Sequence, residues 1–282
     1  MQQEDYDFFK DNGYLSLGKI LSDSEVARFL EAFDRDRRDF GRSWTGTGIW
    51  QTENLDALLT APEFDEIVRH PVVLEALEAL MGDEVCFSEI GIRHMGPYQG
   101  EPLPAMRSWD GPVGYRWHRD GGTSLIWPEH PLRLGYAQVM VYLCDVSDTT
   151  HSFAISPESA DDGETLNIEG QLARRGMREL HGCAGTALLF DASRLHTVVV
   201  RPTQAERKSV QTYYGHRHRK HLSEQSYTPA ALCRDHADEE TRGFYGVLNN
   251  KTREYLKRTA ERAEVPVDEA LDILADIKKQ SE

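Results

Sequence analysis

The chain has 282 residues, with 47 acidic against 32 basic side chains and a formal net charge of −15 at pH 7. With a pI near 5.2, it lacks the basic face that a nucleic-acid or anionic-membrane partner requires, and neither is expected. The length suits one large domain or two small ones, and the four cysteines (Cys86, Cys144, Cys183, Cys233) form no Cys-x-x-Cys pair, which argues for free thiols rather than a zinc ribbon or disulfide scaffold.

The acidic start, Met-Gln-Gln-Glu-Asp-Tyr, has no signal-peptide pattern, and no apolar run approaches the ~20 residues of a membrane span. The C-terminal Lys-Gln-Ser-Glu is not a peroxisomal address. A cytoplasmic location is expected. Nothing in the sequence assigns an oligomeric state.

In chain order, Asn12-Gly13 precedes a short apolar strand pattern, Tyr14-Leu15-Ser16-Leu17. Ser22-Asp23-Ser24-Glu25 reads as a capping box, in which the serine hydroxyl satisfies an orphan N–H and the glutamate reaches back. Behind it Val26, Phe29, Leu30 and Phe33 recur at helical spacing, which predicts an amphipathic helix to about Asp39. A second helical region follows Pro62, is interrupted by Pro71, and continues through Leu74, Leu77 and Leu80 to Gly82. The stretch 20–82 is therefore expected to be helical.

From Val85 the period changes. Short β runs are predicted at 85–92, 112–118, 136–144, 151–156, 186–190, 196–201 and 209–215. The piece 164–180 reads as a loop with a helical turn, and helical patterning returns at 238–262 and 267–279. The plan is one α+β domain over 1–282, with helices first, a β core over about 85–216, and C-terminal helices over 238–280. Many short strands with turn chemistry between them indicate a sandwich, jelly roll or barrel.

Chemistry concentrates at Tyr115-Arg116-Trp117-His118-Arg119-Asp120-Gly121-Gly122. In an extended segment His118 and Asp120 point to the same face, and the two glycines turn the backbone away. One imidazole and one carboxylate leave a metal site one ligand short. A second histidine would complete the 2-His-1-carboxylate set of non-heme Fe(II) oxygenases. The candidates are His130, His151, His181, His196, His216, His218 and His221. Position favours His196, which opens a strand after the turn Asp191-Ala192-Ser193-Arg194. His216 and His218 sit among Arg217, Arg219 and Lys220, cations that oppose a dication, and read as a solvated strand end.

Eleven residues beyond His196, Arg207 opens a run on which Arg207, Ser209, Gln211 and Tyr213 share a face. An inward arginine requires an anion, and its planar fork matches a carboxylate. The plainer reading is a surface ion pair.

Together these features resemble the phytanoyl-CoA dioxygenase family, within the Fe(II)- and 2-oxoglutarate-dependent oxygenases. The resemblance rests on Trp117-His118-Arg119-Asp120, His196 and Arg207. It is extended by Gly13-Tyr14-Leu15, by Leu21 to Val26, and by His70-Pro71 leading to Leu80-Met81-Gly82, and it covers roughly 6–215.

The fold it implies is a double-stranded β-helix, a jelly-roll or cupin-like core flanked by helices. It implies His118, Asp120 and His196 as iron ligands and Arg207 as holder of the distal carboxylate of 2-oxoglutarate. Ser209 would help Arg207, and Gln138 would line the cosubstrate pocket. The implied activity is hydroxylation of a small-molecule C–H bond with O2, releasing succinate and CO2; desaturation or cyclisation uses the same ligands.

The chain departs from the family at Arg119, which should face away from the metal, and at Thr150-His151-Ser152 and Ser156-Pro157-Glu158-Ser159 beside the pocket mouth. His151 reads as a capped-turn histidine or a substrate contact. The Gly/Pro-rich stretch 91–116 reads as a mobile lid, in or near which Arg93, Arg107 and Trp109 are substrate contacts or surface residues. A halogenase would lack Asp120, and a cupin without cosubstrate has no use for Arg207. A non-catalytic binding barrel would have no reason to keep the set together. His118-Arg119-Asp120 and Asp39-Phe40-Gly41 mimic kinase motifs in the wrong order, and Leu125 stands where a kinase needs asparagine.

Overall fold

Helices cover one face of a large antiparallel sheet, whose other face looks across the core at a small sheet. The computed structural model describes residues 1–46, 51–82, 84–100, 105–106, 115–121, 125–219 and 223–276. In chain order the first elements are α1 (Gln3–Asn12), β1 (Tyr14–Lys19), α2 (Asp23–Asp39), β2 (Thr45–Gly46) and β3 (Gln51–Asn54). Next come α3 (Ala57–Thr60), α4 (Asp65–Val68), α5 (Pro71–Met81), β4 (Val85–Met95), β5 (Ala105–Met106) and β6 (Tyr115–Arg116). The core continues with β7 (Ala137–Tyr142), β8 (Ser152–Ile155), α6 (Ile168–Arg175), β9 (Arg178–Leu180), β10 (Thr186–Asp191), β11 (His196–Val199) and β12 (Arg207–His216). It closes with α7 (Ala230–Cys233), α8 (Glu239–Gly246), α9 (Asn250–Ala263) and α10 (Val267–Asp276). The class is α+β, with a double-stranded β-helix core.

The large sheet has the order β1-β10-β7-β12-β4-β3-β2, and the small one β11-β8-β9. Its central strands are buried on both faces, which explains their nearly continuous apolar runs. On β7, Ala137, Val139 and Val141 pack towards the helices with Phe29, Phe33 and Leu77, while Met140 and Tyr142 point between the sheets with Phe153, Ile155 and Phe190. Each fully buried side chain of this size contributes roughly 1.5–3 kcal/mol. Among the described residues no helix is long and apolar enough to cross a membrane.

Several helix ends follow their sequence signals. Ser22 and Glu25 form the reciprocal capping box of α2, and Gly82 ends α5 in the left-handed region at φ 63°. Gly13 is demanded twice: its φ is 75°, and a Cβ there would lie 2.8 Å from the Arg194 side chain.

The expectation of helix throughout 20–82 is corrected by β2 and β3, which add to the edge of β4. Gln51-Thr52-Glu53-Asn54 has poor strand propensity; it is held by pairing along β4 and by a polar barrel interior. Helix α1 was also missed. The piece 164–180 contains a capped helix, α6, and the strand β9. The expected helix 238–262 is two helices, divided where Asn249 caps α9. The lid over 91–116 is corrected at its start, because β4 runs to Met95 and carries Arg93; Arg107 and Trp109 lie outside the described residues.

Candidate active site

The site forms where the small sheet is extended by the segment around His118. His118 and His196 form an antiparallel bridge, each N–H donating to the other's carbonyl at 3.0 and 2.9 Å, and Asp120 N–H donates to Ala192 O at 3.0 Å. Gly121 then turns at φ 59°. Backbone pairing alone thus brings together three side chains from segments more than seventy residues apart.

Their ligand atoms lie within 4.8 Å of one another. His118 Nε2 is 3.5 Å from Asp120 Oδ1, and His196 Nε2 is 3.7 Å from Asp120 Oδ2. Donors at right angles around a metal sit roughly 3 Å apart when metal–ligand bonds are about 2.1 Å, so small side-chain adjustments suffice to close on an ion. The His196 ring is already oriented: Nδ1 lies 2.8 Å from Arg194 O, which can only accept. Nδ1 therefore carries the proton and Nε2 presents its lone pair to the cluster. Burial, followed by the nearby His118, pushes His196 down to about 4, so it is neutral, as a ligand must be.

A feature the sequence reading missed is Tyr213, whose hydroxyl donates to Asp120 Oδ2 at 3.0 Å. Its place on the Arg207 face was visible; its partner lies 93 positions away, and nothing local signals it. A buried ionic strap holds the histidine segments. Arg119 donates to Glu158 at 2.6 Å and to Ser193 O at 2.8 Å, while Arg194 lies 3.4 Å from Glu158 and 3.0 Å from Asp191. Arg119 thus engages the strap.

Along the barrel interior, β12 presents Arg207, Ser209, Gln211 and Tyr213, all buried. Arg207 is not at the surface: it is 2% exposed. Its Nη2 reaches Gln51 Oε1 at 3.4 Å, while among the described residues Nε and Nη1 are buried without a hydrogen-bond partner, as is Ser209 Oγ. Burial lowers the Arg207 guanidinium from the ordinary arginine value, as expected for a cation without a counter-ion. Gln138 Nε2 donates to Gln211 Oε1 at 2.8 Å, and Gln138 Oε1 is buried with no partner among the described residues. An anion with several acceptors would satisfy the donors of Arg207 and Ser209.

Among the described residues the other candidate histidines sit apart from this cluster. His130 bonds Met81 O at 2.7 Å, and His151 is fully buried with Nε2 2.9 Å from Gly96 O. His181 meets Glu179 at 3.3 Å, and His218 is exposed 4.0 Å from Glu84. His216 corrects the solvated strand end: it is 1% exposed, against Trp127 and bonded to Leu134 O at 3.1 Å. His221 lies outside the described residues.

The family Phytanoyl-CoA dioxygenase (PhyH) matches residues 9–208. No curated protein matches the chain. Among solved structures, EctD from S. alaskensis with 2-oxoglutarate and 5-hydroxyectoine is similar at TM-score 0.62 and 17% identity, over 80% of this chain and 79% of that one. The non-heme alpha ketoglutarate dependent carbocyclase SnoK from nogalamycin biosynthesis gives 0.61 and 16%, over 77% and 84%. HygX from Streptomyces hygroscopicus with nickel, 2-oxoglutarate and hygromycin B gives 0.54 and 18%, over 77% and 88%. At these identities the likeness is one of fold.

Proposed function

This chain belongs to the phytanoyl-CoA dioxygenase family, and we propose that it is a non-heme Fe(II)- and 2-oxoglutarate-dependent enzyme that hydroxylates a C–H bond of a small molecule. The observation that carries the reading is the buried Arg207 guanidinium, with Nε and Nη1 unpartnered among the described residues, on the barrel interior that also holds the His118–Asp120–His196 cluster. A binding barrel gains nothing from an uncompensated buried cation, whereas a dicarboxylate cosubstrate neutralises it.

In this reading His118, Asp120 and His196 would hold the metal. Arg207 and Ser209 bind the distal carboxylate of 2-oxoglutarate, and Gln138 lines the same pocket. Fe(II), when bound, supplies O2 activation coupled to decarboxylation of 2-oxoglutarate to succinate and CO2. Tyr213 fixes the Asp120 carboxylate, and the Arg194 carbonyl fixes the tautomer of His196. Phe153 and Phe190, with ring centroids 5.6 and 5.3 Å from His196, exclude water from that side. We take residues 1–282 as one oxygenase domain. Its four free cysteines suit the reducing cytoplasm.

Anaerobic addition of Fe(II) and 2-oxoglutarate is expected to give a weak visible charge-transfer band. No band in the wild type, or an undiminished band in His196→Ala, would overturn the assignment. The likeness to a carbocyclase favours a second reading, in which the same residues serve ring closure or desaturation. Product mass separates the two: hydroxylation adds one oxygen, and the alternatives remove two hydrogens.

A further inference from the structure

The barrel floor beside the cluster carries more charge than metal and cosubstrate use. Glu53 on β3, Glu89 and Arg93 on β4, and Tyr213 on β12 share the interior face, through the pairings Glu53↔Arg93 and Tyr213↔Glu89. Arg93 Nε lies 2.9 Å from Glu53 Oε2, which neutralises that pair. Among the described residues the terminal amino groups of Arg93 have no hydrogen-bond partner. If iron takes up the charge of Asp120 and 2-oxoglutarate that of Arg207, Glu89 is left over.

Glu89 is 6% exposed, and its only partner among the described residues is Ser223, whose Oγ donates to Oε2 at 2.7 Å. The contact is built in. Ser226 Oγ accepts from Ile90 N at 3.1 Å and donates to Ile90 O at 2.8 Å, and Asn249 donates to Ser88 O at 2.7 Å, so the Ser223 segment is tied to β4. One neutral hydroxyl does not compensate a buried carboxylate. Burial pushes the Glu89 carboxyl up to about 7, against the Ser223 hydrogen bond and Arg93, with Asp120 and Glu53 adding to the rise. The groups facing Glu89 are thus Arg93 on its own strand, Asp120, Glu53 and Ser223. Tyr136, which also feels Glu89, donates to Ser88 at 2.5 Å.

We propose that the substrate is a small molecule bearing a basic amine, which docks as its ammonium against Glu89 while an oxygen of the same molecule accepts from Arg93. The proposal rests on the oxygenase reading, and the experiment separates the two. Wild-type enzyme with Fe(II) and 2-oxoglutarate is screened anaerobically for perturbation of the charge-transfer band, then aerobically for succinate release. The panel is small primary and secondary amines, each with its N-acetyl derivative, plus carboxylic acids of matched size.

The expected result is a response to one or more amines that is lost on acetylation. In Glu89→Gln the band without substrate should be retained, and kcat/KM for the responding amine should fall about 100-fold, the effect of removing one partner of a buried ion pair. A panel in which no amine responds, or in which acetylated amines or acids respond equally, overturns the amine assignment. So does a Glu89→Gln enzyme with undiminished response. A wild type that forms no band overturns the oxygenase reading, and this proposal with it.

Discussion

Glu89→Gln, taken in the metal-free and substrate-free protein, tests the electrostatics of the barrel floor directly. The carboxyl moves from 4.5 to about 7 on folding, so the native state binds a proton more tightly than the unfolded chain. The stability this provides is complete below the unfolded value and is lost as pH rises through the folded one. At 1.36 kcal/mol per pKa unit, the wild type should lose about 2.5 kcal/mol relative to Glu89→Gln between pH 5 and pH 8. Glutamine keeps the size of the side chain and a partner for Ser223, but cannot ionise. The assay is urea denaturation of both proteins at the two pH values, compared as midpoints with slopes checked for constancy. Parallel pH dependence in the two proteins would show that Glu89 is not desolvated as described and would refute the reasoning.

Other expectations follow from particular contacts. Arg207→Ala removes a buried charge that can donate to a carboxylate, so half-saturation by 2-oxoglutarate in the anaerobic band titration should rise by roughly 10–100-fold; an unchanged midpoint would dismiss Arg207 as its holder. Tyr213→Phe removes the hydrogen bond to Asp120 Oδ2, and Fe(II) affinity in a chelator competition should fall by about 10-fold with no matching loss of thermal stability. Asn249→Ala removes the cap on Thr252 N and two buried bonds, to Ser88 O and Ser226 O. It should cost about 3 kcal/mol, and a urea midpoint within error of wild type would contradict that. Gly13→Ala combines left-handed backbone with a 2.8 Å approach to Arg194. It should lower the melting temperature by several degrees, on the order of 1–3 kcal/mol.

By itself the sequence determined the local devices and the order of the chemistry. The Ser22–Glu25 capping box, the stop at Gly82 and the strands of the central sheet follow from periodicity and cap chemistry, which act over a few residues. His118 and Asp120 share a face because strands have a period of two, and Arg207 to Tyr213 share theirs for the same reason. Only the tertiary structure decided what meets across the barrel. The strand Gln51–Asn54 forms against its own propensity because β4 offers its edge. Arg93 became a floor residue rather than a lid residue because β4 continues past the point where its apolar pattern fades. Tyr213 reaches Asp120, and Ser223 reaches Glu89, through contacts spanning 93 and 134 positions. Such contacts are set by the closure of two sheets and leave no periodic trace along the chain.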